Sequence, residues 1–371
     1  MADTKSGHGG RNIAIVAVAV VAVLVIAAML FFIHPPSSVG LTTNPSTSSG
    51  LTTNPSPSGG LTITITNAQQ SPTPAPFQQM IVLNASKYSS SEAANLGNIR
   101  FYQGSSELYS WCESGCSNAS TDAVFWVKLP GGIGASSSES ITAVFMPVST
   151  NYDGVYAGEA PQLSPTYAEY DNGASVFEYY ANFKGPSIPQ GWTAHPNGGV
   201  ITASDGAYLS GGHAHLMSDW PVSSGVAEIY LTSENTDNGN LWVLASGGDP
   251  QSYDYVSCAV GYQNQIAGGG TQGGYGLEVQ NNNGGTPSIV ATPGASPYFP
   301  AVIGVYGAEL YVNYAGVANV TGGCAKQNSI FGSTYLQMAA ETGVGVSNFA
   351  FDWVRIRAPP PDGVMPAATV T

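Results

Sequence analysis

The stretches AVFWVK at 123–128 and FAFDWVRIR at 349–357 decide the fold class. Both are dense in β-branched and aromatic residues, the composition that fits a pleated, half-buried strand. Runs of the same kind recur along the chain, separated by Gly, Ser and Asn clusters that read as turns. A first set comprises Met80–Leu83, Ile99–Tyr102, Leu108–Cys112, Ala123–Lys128 and Ile141–Met146. A second comprises Gly199–Thr202, Ala207–Leu209, Gly225–Thr232, Leu241–Ala245, Tyr255–Tyr262, Gly276–Gln280, Ser288–Ala291, Ala301–Tyr306, Glu309–Tyr314, Tyr335–Ala340 and Phe349–Arg357. An all-β chain of two β-sandwich domains follows. The first is a small sandwich over 77–150. The second set has too many strands for a minimal immunoglobulin-type sandwich and fits a larger jelly roll over 177–358. The pattern weakens across 151–176, which reads as a connector, and 359–371 reads as a disordered tail.

Composition agrees. Charged residues are 9% of the 371 positions, against a usual ~25%. The Glu and Lys that solubilise helical domains are scarce, and 46 glycines with abundant Ser, Thr and Asn supply a polar, turn-rich surface instead. The formal charge is −14. Setting aside Lys5, Arg11 and Asp3 leaves 7 basic residues against 22 acidic ones beyond position 33. Such a deficit repels phosphate backbones and anionic headgroups, so nucleic acid is not an expected partner. A surface with few ionisable groups changes charge little as pH falls, which suits an acidic habitat and equally suits an ordinary secreted protein.

Residues 13–33 (IAIVAVAVVAVLVIAAMLFFI) are apolar without a charge. At 1.5 Å rise per residue such a run spans the ~30 Å hydrocarbon core of a bilayer. Lys5 and Arg11 precede it and the next basic residue is Lys87. The positive-inside rule then leaves 1–12 in the cytoplasm and places the rest outside a cell membrane crossed once. The run is too long for a cleaved signal peptide and lacks a small-residue cleavage site, so a transmembrane signal anchor is expected. Asn12 stands where a pilin-type processing site needs its charged-Gly junction. Residues 34–76 are mostly Ser, Thr, Pro, Gly and Asn; GLTTNPS at 40–46 recurs at 50–56, and Gly60-Leu61-Thr62 begins a third copy. Such a segment cannot form a core and reads as an extended, O-glycosylation-type stalk reaching up to ~140 Å.

Ile99-Arg100-Phe101, Trp111 and Phe125-Trp126-Val127-Lys128-Leu129-Pro130 resemble a domain of unknown function found in archaeal and bacterial surface proteins, of the IRF…W…WVKLP type. In that family it often precedes a concanavalin A-like or laminin-G-like module. Phe351-Asp352-Trp353-Val354-Arg355-Ile356-Arg357 is similar to the strand that ends such modules. Glu169-Tyr170-Asp171-Asn172-Gly173-Ala174, Val176-Phe177 and Asn182-Phe183 resemble the junction of the pair. The resemblance covers roughly 77–358, and departs where Val144-Phe145-Met146-Pro147 replaces the family's Tyr-Tyr-Gly turn. It implies cell-surface architecture and carries no catalytic residues. By analogy with sugar-binding concanavalin-like folds, the expected role is a carbohydrate-binding or adhesive head, with Trp192, Trp220, Trp242 and Tyr262 as candidate contacts. The alternative is a structural envelope component that packs beside surface-layer proteins.

Cys112, Cys116, Cys258 and Cys324 all follow the apolar run. An even count outside the cell suggests disulfides Cys112–Cys116 and Cys258–Cys324, with zinc the rival for a four-cysteine set. Asn84, Asn118 and Asn319 open N-x-Ser/Thr sequons and are glycosylation candidates, at a frequency close to chance in so Asn- and Ser-rich a chain.

No catalytic pattern stands out. A glycosidase needs two facing carboxylates roughly 5–10 Å apart. Glu228 and Glu234 share strand parity but lie ~20 Å apart along an extended strand, so both read as strand-surface residues. His213 and His215 would point the same way from a strand, and His195 and Asp219 are the nearest further donors for a metal. Exposed histidines are the commoner outcome. Neither a metal nor any other cofactor is expected, and the chain reads as a non-enzyme.

Overall fold

The structure, a computed structural model, describes residues 60–371 except 223–224, 237–238, 248–258, 267–269, 280–287, 292–300, 307–308, 314–321, 324–333 and 343–346. The expected anchor at 13–33 and most of the stalk lie outside the described residues, among which no helix is long and apolar enough to cross a membrane. Strands are numbered in chain order.

The first sandwich begins inside the expected stalk. The third repeat copy departs after Thr62, reading ITIT where the others read TNPS. Loss of proline and gain of alternating isoleucine turn Leu61–Asn67 into strand β1, with Ile63 and Ile65 buried and the alternating Thr62, Thr64 and Thr66 on the more exposed face. Next come Phe77–Leu83 (β2), Ile99–Gln103 (β3), Ser106–Leu108 (β4), Ser110–Ser114 (β5), Ala123–Leu129 (β6), Ser137–Phe145 (β7) and Ala157–Glu159 (β8). The last lies in the expected connector, where it adds a parallel strand beside β5. The expected disordered tail supplies another strand, Ala367–Val370 (β24), paired antiparallel to β1. One sheet therefore runs β24-β1-β7-β3-β4 and faces another of order β2-β6-β5-β8. Ile81, Leu83, Phe101, Phe125, Val127 and Ile141 fill the space between them. The small sandwich is discontinuous, and the larger one is inserted between β8 and β24.

The insert has two sheets. One holds Tyr179–Ala181 (β9), Val200–Ala203 (β11), Ala207–Ser210 (β12), Val226–Thr236 (β14), Ala301–Tyr306 (β19), Glu309–Asn313 (β20), Gly322–Gly323 (β21) and Ser347–Arg357 (β23), in the order β11-β12-β23-β14-β19-β20-β21 with β9 also on β23. The other holds Trp192–His195 (β10), His213–Val222 (β13), Gly239–Gly247 (β15), Ala259–Ile266 (β16), Gly270–Val279 (β17), Ser288–Ala291 (β18) and Thr334–Thr342 (β22), in the order β10-β13-β22-β15-β16-β17-β18. The expected all-β jelly-roll class is what the chain adopts.

A bulge on β23 controls how the two sandwiches meet. Tyr230 pairs with Trp353 but Leu231 pairs with Phe351, leaving Asp352 unopposed. The extra residue reverses side-chain parity. Phe349 and Phe351 enter the insert's own core, while Trp353, Arg355 and Arg357 face β5 and β6 of the small sandwich. There the Arg355 guanidinium, 1% exposed, lies 4.6 Å from the ring centroids of Trp126 and Trp353, 4.7 Å from Phe177 and 5.5 Å from Trp111. It donates to Glu113 and Glu228, and Arg357 donates to both oxygens of Glu228 at 3.1 Å. Glu113 also accepts from the Trp126 indole. Two cations and two anions thus cancel within an aromatic box. Glu228 is 4% exposed, so the expectation of a strand-surface role is wrong for it: its parity carries it to the interface between sandwiches. The Glu234 side chain lies outside the described residues.

Two predictions follow from buried charge. Arg355→Met leaves two carboxylates buried with one cation fewer and should lower unfolding free energy by about 3–5 kcal/mol in a denaturant titration, with Arg355→Met/Glu228→Gln recovering part of the loss. Glu92 is 3% exposed and neither carboxylate oxygen has a hydrogen-bond partner among the described residues. Burial pushes its carboxyl up from 4.5 to about 7. A raised folded-state value means the stabilisation is complete below the unfolded value near 4.5 and is lost as pH rises through about 7. The melting temperature should therefore fall between pH 5 and pH 8, and Glu92→Gln should flatten that slope.

Candidate functional site

Strand alternation on β9 divides two tyrosines between two environments. Tyr180 turns inward, where its hydroxyl donates to Asp171 Oδ2 at 2.8 Å. Asp171 also accepts from Trp111 Nε1 at 2.9 Å, Gly173 N at 2.9 Å and Asn182 Nδ2 at 2.7 Å. Burial raises the Asp171 carboxyl and these four donors oppose the rise. Tyr179 turns outward and is 38% exposed. Its ring stacks on Trp220 at 4.1 Å with 7° between planes.

Trp220 owes its position to Asp219-Trp220-Pro221 in β13. Proline cannot donate to a sheet ladder, and pairing with β22 is interrupted between Met217 and Pro221. Within the irregularity Ser218 Oγ donates to Trp220 O at 2.8 Å and accepts from Leu336 N at 2.9 Å. Asp219 N donates to Gly191 O at 2.8 Å. Trp220 then meets Trp192 of β10 edge-on at 5.8 Å, and Trp192 meets Phe183 at 5.5 Å. Phe183 is 1% exposed, packs on Phe351 at 5.1 Å and holds φ +53°. Left-handed backbone costs a bulky residue of order 1–2 kcal/mol, which ring burial offsets. The result is an aromatic seam along the open edge of the insert, from a fully buried Phe183 through half-buried Trp192 and Trp220 to exposed Tyr179. Polar groups flank it: exposed Glu178 and Asp219, the latter accepting from Thr193 Oγ1.

The expected contacts Trp192 and Trp220 thus come together, joined by Tyr179 and Phe183, which the sequence reading did not select. Trp242 and Tyr262 lie on β15 and β16, opposite Ala339 and Leu241, and their side chains lie outside the described residues. His195 of β10 and His215 of β13 are register partners, and the Gln337 side-chain amide donates to His215 Nδ1. His215 is 2% exposed, contrary to the surface role expected for it, because β22 supplies a hydrogen-bonding neighbour. Among the described residues no three His, Cys, Asp or Glu side chains gather into a metal site. Cys112 and Cys116 form a disulfide, as expected. Cys258, Cys324 and Asn319 lie outside the described residues.

No family model matches the chain. It is 32% identical over 339 residues to an uncharacterized protein, protein 562, of Sulfolobus islandicus rod-shaped virus 1, a match covering 83% of this chain and 58% of that protein. The chain therefore spans less than two thirds of its relative. Among solved structures it is similar to a Bacillus licheniformis β-glucanase (11% identity, TM-score 0.35, 48% of this chain and 97% of that one). It is also similar to the Crh5 transglycosylase (17%, 0.32, 49% and 85%) and a Clostridium perfringens endo-β-galactosidase (11%, 0.32, 51% and 64%). Scores this low assign no residue a role. The expectation of a non-enzyme is nonetheless corrected, because these neighbours are sugar-cleaving and sugar-transferring proteins.

The seam separates core from surface by energy. Phe183→Ala should cost about 3–5 kcal/mol of stability, as core phenylalanine truncations do. Tyr179→Ala should cost less than about 1 kcal/mol. Comparable losses at both positions in chemical denaturation would show that Tyr179 is core.

Proposed function

We propose that this chain is a membrane-anchored, extracellular protein whose head handles carbohydrate at the Tyr179–Trp220–Trp192 seam. The observation that carries the reading is the stacked Tyr179–Trp220 pair, half-exposed at a sandwich edge and flanked by Thr193 and Asp219. Sugar rings have apolar C–H faces that pack on aromatic faces and hydroxyl rims that need nearby acceptors and donors. Asp219 and Thr193 supply those beside the rings. The uncharged run at 13–33, with Lys5 and Arg11 close on its N-terminal side and no further Lys or Arg until Lys87, supports the anchor and its orientation. The shared outline with sugar-processing proteins is compatible with this reading and supplies none of its residues.

The full chain in detergent or nanodiscs, applied to a glycan array at pH 4 and pH 7, should retain a restricted set of glycans. Trp220→Ala and Tyr179→Ala should weaken the best hit about tenfold, equivalent to ~1.4 kcal/mol. Chromatography of the incubated glycan reports any bond cleavage. A blank array from folded protein would overturn carbohydrate handling and favour a structural envelope component.

A further inference from the structure

Two of the three sequons converge in space. Asn84 follows β2 directly, and Asn118 lies in the loop between β5 and β6. Leu83 at the end of β2 is the register partner of Ala123 at the start of β6, so both loops leave the sheet at the same end. Ser86 N donates to Ser120 O at 2.9 Å, joining the third position of one sequon to the third position of the other. Asn118 N donates to Ala94 O at 3.1 Å, and the Cys112–Cys116 disulfide fixes the root of the second loop.

The side-chain amides distinguish these residues from their neighbours. Asn67, Asn95, Asn98, Asn172 and Asn182 each commit Nδ2 to a protein hydrogen bond. Among the described residues no hydrogen bond holds Nδ2 of Asn84 or Asn118. Asn84 is engaged through Oδ1, which accepts from Ser86 Oγ at 2.7 Å. Both asparagines are half-buried in loops, so a substituent on Nδ2 can extend into solvent without displacing a strand.

We propose that Asn84 and Asn118 are both N-glycosylated and form a paired glycan patch at this end of the small sandwich. Each Nδ2 would attack the anomeric carbon of a sugar carried on a lipid-linked phosphate or pyrophosphate. The N–C bond forms as the C–O bond to phosphate breaks, the phosphate departs with the bonding pair, and the amide proton passes to a base of the transferase. β1 starts at Leu61, opposite Ala143, and β3 starts at Ile99, opposite Phe145, so Leu61 lies at the end of its sheet from which the loop carrying Asn84 enters β3. Glycans there would screen the disulfide loop from proteases.

The inference rests on the extracellular placement proposed above, and its test separates the two. The full chain is produced in a cell whose own secreted proteins carry N-glycans, and peptides spanning each sequon are analysed by mass spectrometry. Intact cells are shaved with protease in parallel. Glycopeptides at both Asn84 and Asn118 are expected, with Asn84→Gln and Ser86→Ala each removing one glycan mass and Asn118→Gln the other. Glycosylation at neither site in a shaved head, at one of the two, or at Asn319 alone overturns the paired patch while the placement stands. A head that resists shaving and carries no glycan overturns both.

Discussion

The fold depends on how Arg355 is accommodated. A guanidinium at 1% exposure is tolerable only if its charge and donors are answered locally, and four aromatic rings with two carboxylates answer them. These partners come from both sandwiches: Trp111, Glu113 and Trp126 from the small one, Glu228 and Trp353 from the insert, and Phe177 from the segment between β8 and β9. Neither half can satisfy the cation alone. The two sandwiches are therefore parts of one body, and separating them would expose a charge network built for a dry interface. The return of the chain as β24, beside β1, closes the same body by backbone pairing.

Two irregularities translate that body into a surface. The extra residue at Asp352 lets one strand serve two cores, phenylalanines on one side of the bulge and the Trp-Arg-Arg row on the other. The interruption before Pro221 lifts Trp220 from the ladder and lays it against Tyr179. Both use a local departure from regular pairing to send a large side chain where strict alternation would not.

Buried acids give the molecule a preferred direction in pH. Among the described residues no donor compensates Glu92, and burial also raises Glu159, flanked by Glu169 and Asp171, and lifts Asp352 to about 6. Each is easier to bury neutral than ionised, so acid favours the folded state for these groups. With 9 basic residues against 23 acidic, few cations are at hand to reverse the preference.

The class and most of the strands are legible in the residues alone, because period and composition are local properties: runs such as AVFWVK and FAFDWVRIR favour extended backbone, and the glycine-rich breaks between them favour turns. The sequence also located the Cys112–Cys116 loop and two members of the seam, Trp192 and Trp220. What it could not reveal was set by long-range pairing. Residues 61–67 imitate a stalk repeat until an edge in need of a partner makes their alternation meaningful, and β24 is legible only once β1 is in place. Glu228 looks like any surface glutamate on its strand, and Tyr179 like any tyrosine on its own. That one neutralises a buried arginine and the other completes an aromatic edge emerges on folding, because burial and neighbours are supplied by segments more than a hundred residues away for Glu228 and about forty away for Tyr179.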